Sequence, residues 1–397
     1  MKKSQTSRYL MFGLLYFAQG SIMGYFGALN VIYFLEQGLN LTQAGTIGTI
    51  AMIPFILKIF LGMLSDKVNL LGFGHRKPYI VIGLILQAGI LAAFSTVNPA
   101  ENFTLYAVAA FFLMTGMALY DTCTDGFALD STPVEEEGKV QAIMVSGRAL
   151  GTVIVGGLGL IADAFGWQIL FLVLALVTIL PLPFVLFGMR EGEKKPGTTF
   201  NWKAFQAFRQ PYVIGLALLG ALYSFCIYGA YEIVAPAIQA NFPIDVGPTS
   251  LFISAWGLGV IVGGWLGGLL NPKLGVRKSI ISAMLISLIS TALLALTLSP
   301  LVAWIIVPLF GIGFGYYETI FFALSMQFTD SRIAASMYAI LMAIANVGTG
   351  ISLGLTGVLA DRFGFRVTFL FLVLVNLLAL PLLGMMRRKP EGIVATE

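Results

Sequence analysis

The sequence predicts an all-α membrane protein with twelve transmembrane helices in two six-helix bundles. Of its 397 residues, 58% are hydrophobic and only 11% are charged, whereas soluble domains carry about 25% charged residues. The mean hydropathy is +0.90, and it arises from long unbroken apolar runs. A helix needs roughly 20 apolar residues to cross a bilayer. One long polar interval near the middle of the chain divides these runs into two sets of six.

Twelve apolar runs, numbered here as spans 1 to 12, are long enough to cross a membrane. Their ranges are 9–34, 42–64, 78–97, 103–129, 139–162, 167–188, 212–239, 249–270, 279–298, 301–327, 333–360 and 367–386. The interval at 190–210 is polar and basic, and its spaced aromatic residues predict a short interfacial helix. We therefore expect bundles at residues 1–189 and 211–397, joined by a linker.

Basic residues predict the orientation of the chain. Lysine and arginine are concentrated at the termini, in the linker and in every second loop, whereas the opposite loops offer only Arg362 and Arg366. By the positive-inside rule, both termini are cytoplasmic in a bacterial-type inner membrane. The same sorting accounts for the net charge of +4, so we expect a lipid environment and no nucleic-acid partner.

Composition also limits the chemistry. Both cysteines lie inside predicted spans and the one histidine lies in a loop, so we expect no disulfide framework, no metal site and no cofactor. No nucleophile stands at a plausible spacing from a base and an orienting group, and no phosphate-binding loop is present. These features predict neither an enzyme nor an ATP-driven pump.

A loop motif is repeated in the two halves. It consists of a glycine, an acid or amide four residues later, a second glycine and then two basic residues. Its polar members after spans 2 and 8 are Asp66, Arg76, Lys77, Asn271, Arg277 and Lys278. A related pattern closes spans 5 and 11 at Asp163 and Asp361. These repeated motifs predict three-helix repeats, as in alternating-access transporters. The loop residues are expected to form either latches that break during gating or static helix caps.

Several motifs carry a resemblance to a known family. They include Pro54, Lys58 and Asp66 in and after span 2, the Asp121-Thr-Cys-Thr-Asp125 pair in span 4, and Gly147-Arg148-Ala-Leu-Gly151 in span 5. The chain resembles the major facilitator superfamily over its whole length. Within that superfamily it is similar to the AmpG-type muropeptide permeases and the related acetyl-coenzyme A transporters. This resemblance implies proton-linked movement of an amphipathic or anionic solute that bears a sugar or nucleotide.

Charged residues deep inside the spans nominate a site. The resemblance implies that spans 1, 4, 7 and 10 line a central cavity. Residues nominated for proton coupling or substrate binding are Asp121, Asp125, Arg148, Glu318 and Glu232. Residues nominated for the substrate cavity are Gln19, Tyr25, Asn30, Lys58, Tyr228, Tyr231, Tyr317 and Asn346. Charges in lipid are costly and usually mark a functional pathway; the alternatives are a structural salt bridge between the aspartates and Arg148, or a sodium site.

We therefore expect a monomeric secondary transporter that binds a small molecule and a coupling ion, with H⁺ favoured and Na⁺ open. It works by rocking two bundles about the central site. Two other readings stay open. One is a drug or metabolite exporter of the same fold, and the other is a non-transporting pigment or assembly factor. The sequence leaves the substrate and the direction of transport undetermined.

Overall fold

The computed structural model describes residues 2–133, 136–191, 201–242, 244–297, 299–327 and 334–385. These residues form helices and connecting turns, with no strand among them. The helices of the first half are α1 Lys2–Gly24, α2 Asn30–Glu36, α3 Leu41–Ile56, α4 Lys58–Lys67, α5 Lys77–Phe94, α6 Phe103–Ser131, α7 Glu137–Phe165, α8 Trp167–Ile179 and α9 Leu182–Gly188. Those of the second half are α10 Pro211–Asn241, α11 Val246–Leu294, α12 Pro300–Gln327, α13 Ala334–Asn376 and α14 Ala379–Met385.

These helices make the twelve predicted spans. Span 1 is α1 and α2 joined by a π-helical turn at Tyr25–Leu29, span 2 is α3 with α4, and span 6 is α8 with α9. Helix α11 contains spans 8 and 9, and α13 with α14 contains spans 11 and 12. The remaining spans are single helices. Nine helical stretches of the described residues are long and apolar enough to cross a membrane, and two of them hold two spans each.

Two glycines make the reversals inside the longest helices. Gly275 has φ 71° and Gly364 has φ 80°, a region that glycine enters without the steric cost that other residues meet. The sequence predicted a loop at 271–278 between spans 8 and 9. That expectation is wrong, because helix continues on both sides of Gly275 and this single residue turns the chain.

The linker forms the short helix that its aromatic spacing predicted. Residues Trp202–Arg209 adopt a 3₁₀ helix, and Ala204 packs with Met337 and Ile340 at the start of span 11. We call this side of the molecule the linker face and the opposite side, where α3 and α11 begin, the far face. Residues 192–200 of the linker lie outside the described residues, so the division into bundles at 190–210 stays a proposal.

The two halves are held together at the far face by a pair of equivalent carboxylates. Asp361, at the end of span 11, accepts hydrogen bonds from the backbone N–H of Leu41 at 3.2 Å and of Thr42 at 2.7 Å. Asp163, at the end of span 5, accepts from the backbone N–H of Gly247 at 2.6 Å. Each carboxylate thus caps the first turn of a helix in the opposite half, where the helix dipole favours negative charge.

Side-chain hydroxyl groups extend these contacts toward the centre of the molecule. Ser250 donates to the carbonyl of Gly156 at 2.5 Å and Ser254 to that of Val153 at 2.6 Å, which joins span 8 to span 5. Thr49 in span 2 donates to the carbonyl of Gly350 in span 11 at 2.8 Å. The far face is therefore closed by hydrogen bonds that run between the halves on both sides.

Glycines bring span 5 directly onto span 1. A Cβ atom on Gly151 would overlap the carbonyl of Phe17 and lie 2.7 Å from the backbone nitrogen of Ser21. A Cβ on Gly20 would overlap the backbone of Arg148. Close approach of small residues is a common way to pack helices in lipid. Here it places Arg148 beside the polar residues of span 1.

We expect Gly151→Ala to destabilise the protein. The added methyl group overpacks the contact between spans 1 and 5, which typically costs about 1–3 kcal/mol. The midpoint of thermal unfolding in detergent should fall by several degrees. Gly157→Ala is the matched control, because its Cβ would meet nothing within 4 Å. Equal midpoints for the two variants would show that this contact is loose.

Candidate functional site

An ion pair joins the two halves near the middle of the spans. Arg148 in span 5 lies 3.6 Å from Glu318 in span 10, measured from Nη2 to Oε2. Tyr228 in span 7 donates a hydrogen bond to the other oxygen of Glu318 at 3.2 Å. The Arg148 side chain is 34% exposed, and that of Glu318 is 11% exposed. The guanidinium group therefore retains an open side while its charge is compensated across the interface.

A second ion pair lies within the first half. Lys58 Nζ is 3.8 Å from Oδ2 of Asp121, and the amide of Gln19 donates to Oδ1 of the same carboxylate at 2.5 Å. Lys58 is the first residue of α4, directly after the break in span 2 at Leu57. This break follows Pro54, which disrupts a helix interior. Lys58 thus lies at the break in span 2 and next to Asp121 of span 4.

Asp125 is placed differently from Asp121, although both lie on one face of span 4. The hydroxyl of Tyr16 in span 1 donates a hydrogen bond to Oδ1 of Asp125. Among the described residues, no lysine or arginine nitrogen lies within 4 Å of Asp125, whereas Asp121 has Lys58. The alternative of a direct salt bridge between these aspartates and Arg148 is wrong, because Arg148 pairs with Glu318 in the other half instead.

Glu232 lies apart from these pairs, nearer the far face. It is buried in span 7, and its Oε2 is 3.1 Å from the hydroxyl of Thr356 in span 11. Its other oxygen faces Gly48 of span 2, in the opposite half. Glu232 is thus enclosed at the interface between the halves.

The residues nominated for the cavity fall into two groups. Gln19, Lys58 and Tyr228 contact the charged residues directly. Asn346 bridges the halves, because its side-chain amide donates to the carbonyl of Phe55 at 3.2 Å. Tyr231 stacks on Trp256 with ring centroids 3.8 Å apart, so it belongs to the packed interface above the charged residues.

Three nominated residues are buried, and two of them pack against rings of their own half. Tyr25 packs edge-on against Phe171 at 5.7 Å, and Tyr317 packs against Tyr223 at 5.0 Å. Asn30 is 2% exposed in α2. A cavity-lining position is therefore wrong for these side chains in this conformation. Tyr25 was nominated as a polar residue of span 1, and it opens the π-helical turn of that span.

Sequence reasoning missed Tyr16 and Thr356. Tyr16 precedes Gln19 by three residues, which places both side chains on one helix face, and this spacing was a usable signal. Thr356 has no such signal, because a threonine in an apolar helix usually bonds to its own backbone. Its contact with Glu232 depends on how spans 7 and 11 meet.

At the linker face, Arg76 organises a network inside the first half. It lies 2.7 Å from Asp66 and 3.4 Å from Asp130, and it donates to the hydroxyl of Ser65 at 2.8 Å. The side chain of Lys77 donates to the carbonyl of Leu186 at 2.7 Å. These partners belong to the first half, so within the described part of the chain the contacts of Arg76 fix loop geometry on one side of the interface.

The equivalent motif in the second half is built differently. Arg277 and Lys278 are exposed, and within the described part of the chain neither forms an ion pair. The contact shown for Asn271 is through its backbone carbonyl, which accepts from Ser279 at 3.5 Å. The amide at 271 lacks the charge that lets Asp66 bind an arginine. The two motifs are alike in sequence but only the first forms a network.

Comparisons with known proteins agree with this architecture. The sequence profile of the Major Facilitator Superfamily matches residues 9–342. The anhydromuropeptide permease of Escherichia coli (strain K12) is 25% identical over 360 residues, which cover 87% of this chain and 73% of the permease. The sialic acid transporter NanX of the same organism is 25% identical over 275 residues, or 65% of this chain and 64% of that protein.

A solved structure shows the same fold. The bacterial homolog of the human lysosomal transporter Spinster, in an inward-facing and unoccupied conformation, has a TM-score of 0.78 with 15% sequence identity, and the match covers 98% of both chains. The resemblance to AmpG-type permeases is confirmed by the permease relative. The chain belongs to the Major Facilitator Superfamily and is a multi-pass membrane transporter of the bacterial inner-membrane type.

Proposed function

We propose that this protein is a proton-coupled secondary transporter that moves an anionic, sugar- or nucleotide-bearing solute by alternating access. The observation that carries the proposal is the Arg148–Glu318 ion pair, which joins the two halves at mid-span. The protein acts as a monomer, since both sides of the site come from one chain, and it leaves its solute chemically unchanged. Its bundles are residues 1–189 and 211–397, joined by the linker at 190–210.

Arg148 supplies the anion site. Its planar guanidinium group binds carboxylates and phosphates through two parallel hydrogen bonds, and its side chain is partly open. Without solute, the carboxylate of Glu318 pairs with this guanidinium group. A solute carboxylate or phosphate competes with Glu318, so binding of solute loosens a contact between the halves. Two relatives are named for sialic acid and for anhydromuropeptide, and both of these are sugar-bearing carboxylic acids.

Asp125 carries the coupling proton. The site holds the cations Lys58 and Arg148 and the carboxyl groups Asp121, Asp125 and Glu318. Two cations and three carboxylates leave one excess negative charge, which is costly at this depth. One proton removes it, and Asp125 is the member that lacks a close cation among the described residues.

The contacts between the halves support an inward-facing conformation. The far face is closed by Asp163, Asp361 and the serine hydroxyl groups, whereas the partners of Arg76 at the linker face, as far as the described residues go, lie in the first half. The basic termini and linker place the linker face in the cytoplasm. The solute site is therefore accessible from the cytoplasm, and transport requires opening of the far-face contacts.

We expect Asp125→Asn to abolish proton-driven accumulation while exchange survives. Wild-type protein in proteoliposomes should accumulate sialic acid or an anhydromuropeptide when a pH gradient is imposed. The variant should lose accumulation but retain equilibrium exchange of labelled solute, since an amide mimics the protonated carboxyl group. Glu36→Gln is the control, because Glu36 is an exposed carboxylate that bonds to Trp167.

Two outcomes would contradict this assignment. Accumulation driven by a sodium gradient without a pH gradient would make sodium the coupling ion. Wild-type protein that neither accumulates nor exchanges any of these solutes would favour the exporter or assembly-factor reading. In the latter case, Asp125→Asn should be tolerated and changes on the lipid-facing surface should not.

We expect Arg148→Lys to weaken binding of anionic solutes selectively. Lysine keeps the charge but loses the two-point geometry, which should raise the apparent KM for a carboxylated sugar about tenfold or more. Transport of an uncharged analogue, if it occurs, should change little. The measurement is a set of uptake curves for the acid and for its methyl ester. An equal change for both solutes would place Arg148 outside the binding site.

We expect Arg148 and Glu318 to be energetically coupled in the empty protein. Arg148→Gln and Glu318→Gln each leave an unpaired charge, whereas the double variant leaves none. Thermal unfolding of the three variants should give a coupling energy on the order of 1–3 kcal/mol. Additive effects of the two substitutions on the free energy of unfolding would show that the side chains are close but do not stabilise each other.

A further inference from the structure

Glu232 is a buried carboxyl group that the mechanism above does not use. It is 4% exposed and lies in span 7. A Cβ atom on Gly48 of span 2 would stand 3.5 Å from its Oε1, so the opposite half covers it. Its Oε2 contacts Thr356 of span 11 at 3.1 Å. Glu232 therefore sits inside the closed far-face gate, between the elements that must separate when the gate opens.

Among the residues that the structure describes, no cation compensates this carboxyl group. Within the described residues no lysine, arginine or histidine nitrogen lies within 4 Å of Glu232, and α3 of span 2 carries no ionisable side chain. The segment of span 8 at 246–270 carries none either. In span 1, Tyr25 and Tyr33 pack against Phe171 inside the first half.

Three ionisable groups on the neighbouring spans 7 and 11 contact residues other than Glu232. Asp361 in span 11 is held by Leu41 and Thr42. Tyr228 in span 7 donates to Glu318 of span 10, which pairs with Arg148. Tyr231 stacks on Trp256. An ionised Glu232 would thus be an uncompensated buried charge, which costs several kcal/mol or more.

The hydroxyl of Thr356 offers a protonated Glu232 a hydrogen-bond partner. A hydroxyl group has one proton to donate, and that of Thr356 lies 2.8 Å from the carbonyl of Ser352 in the preceding turn. If this proton goes to Ser352, the oxygen of Thr356 can only accept from Glu232. A protonated Glu232 satisfies that geometry, because its O–H donates to Thr356. An ionised Glu232 would have to compete with Ser352 for the same proton.

We propose that Glu232 is a second proton-binding site, separate from Asp125, and that the far-face gate closes only over its protonated form. Opening of the gate separates span 2 from spans 7 and 11 and exposes Glu232 to water on the far side. The proton then leaves, and the ionised carboxylate opposes closure. The inference rests on the alternating access proposed above and adds a second proton to the cycle.

The sign of the effect follows from this exchange. The closed state holds the proton and the open state releases it, so closure is favoured at low pH and lost as the pH rises. One linked proton changes the ratio of open to closed molecules by at most about tenfold per pH unit. Glu232→Gln cannot ionise and should keep the gate closed at every pH.

The experiment measures the distance between the halves at the far face as a function of pH. Spin labels on Thr96→Cys and Leu296→Cys report it, because both positions are exposed directly after the ends of α5 and α11. Cys123 and Cys226 are buried and are replaced by alanine. Pulsed electron–electron double resonance on protein in lipid nanodiscs without solute should show a short distance at pH 5. A longer component should grow toward pH 9 in the wild type, by at most about tenfold per pH unit, and should not grow in Glu232→Gln.

Two further variants keep the test decisive. Thr356→Val removes the acceptor of the Glu232 proton, so the long component should grow at lower pH than in the wild type, whereas Thr356→Ser should behave as the wild type. Glu36→Gln is the matched control at an exposed carboxylate and should titrate as the wild type.

Three outcomes would overturn the proposal. They are a wild-type distance that does not change between pH 5 and 9, a Glu232→Gln protein that titrates normally, and a transition lost in Asp125→Asn but kept in Glu232→Gln. The measurement needs no solute, so a failure here is distinct from a failure of the uptake experiment.

Discussion

Compensation of charge inside an apolar environment is the constraint on which this structure depends. An ionised side chain in a membrane span must find its partner within the protein, because lipid supplies none. Lys58 and Asp121 meet this requirement inside the first half, and Arg148 and Glu318 meet it across the two halves. The second pair makes the charge balance of the site depend on how the halves are arranged. The site and the conformational equilibrium are therefore linked by electrostatics.

The far face is joined by a different kind of contact. Asp163 and Asp361 bind backbone N–H groups at helix starts, and within the described part of the chain neither pairs with a basic side chain. A carboxylate at a helix start is stabilised by the helix dipole and by directed hydrogen bonds. The hydroxyl of Thr42 adds a third donor to Asp361, so these contacts use backbone and hydroxyl donors rather than long charged side chains. Because the two contacts lie at equivalent positions of spans 5 and 11, the proposed rocking of the halves would break both together.

The sequence was sufficient for the fold, since twelve apolar runs and a polar midpoint require little more than counting. It also nominated Asp121, Arg148 and Glu318, because a charge in an apolar helix is conspicuous. It could not pair them, since Arg148 and Glu318 meet only when the two halves pack together. The reversal at Gly275 was read as a loop, because a single left-handed residue leaves almost no trace in hydropathy. Tyr25 and Tyr317 were misplaced because an aromatic ring serves equally well in a core or in a cavity wall.

The break in span 2 has a mechanical consequence. Its outer part, α3, is bound to span 11 through Thr42 and Thr49, whereas the inner part, α4, packs against span 4, where Gly62 lies beside Thr122. Asn346 holds the carbonyl of Phe55 next to the break. Span 2 therefore consists of two helices that can change their angle at the break near Leu57, next to the contact between Asn346 and Phe55. In the proposed cycle, Lys58 at the start of α4 can stay with Asp121 while α3 moves with the opposite half. The far face can then open without separating the lysine from its carboxylate.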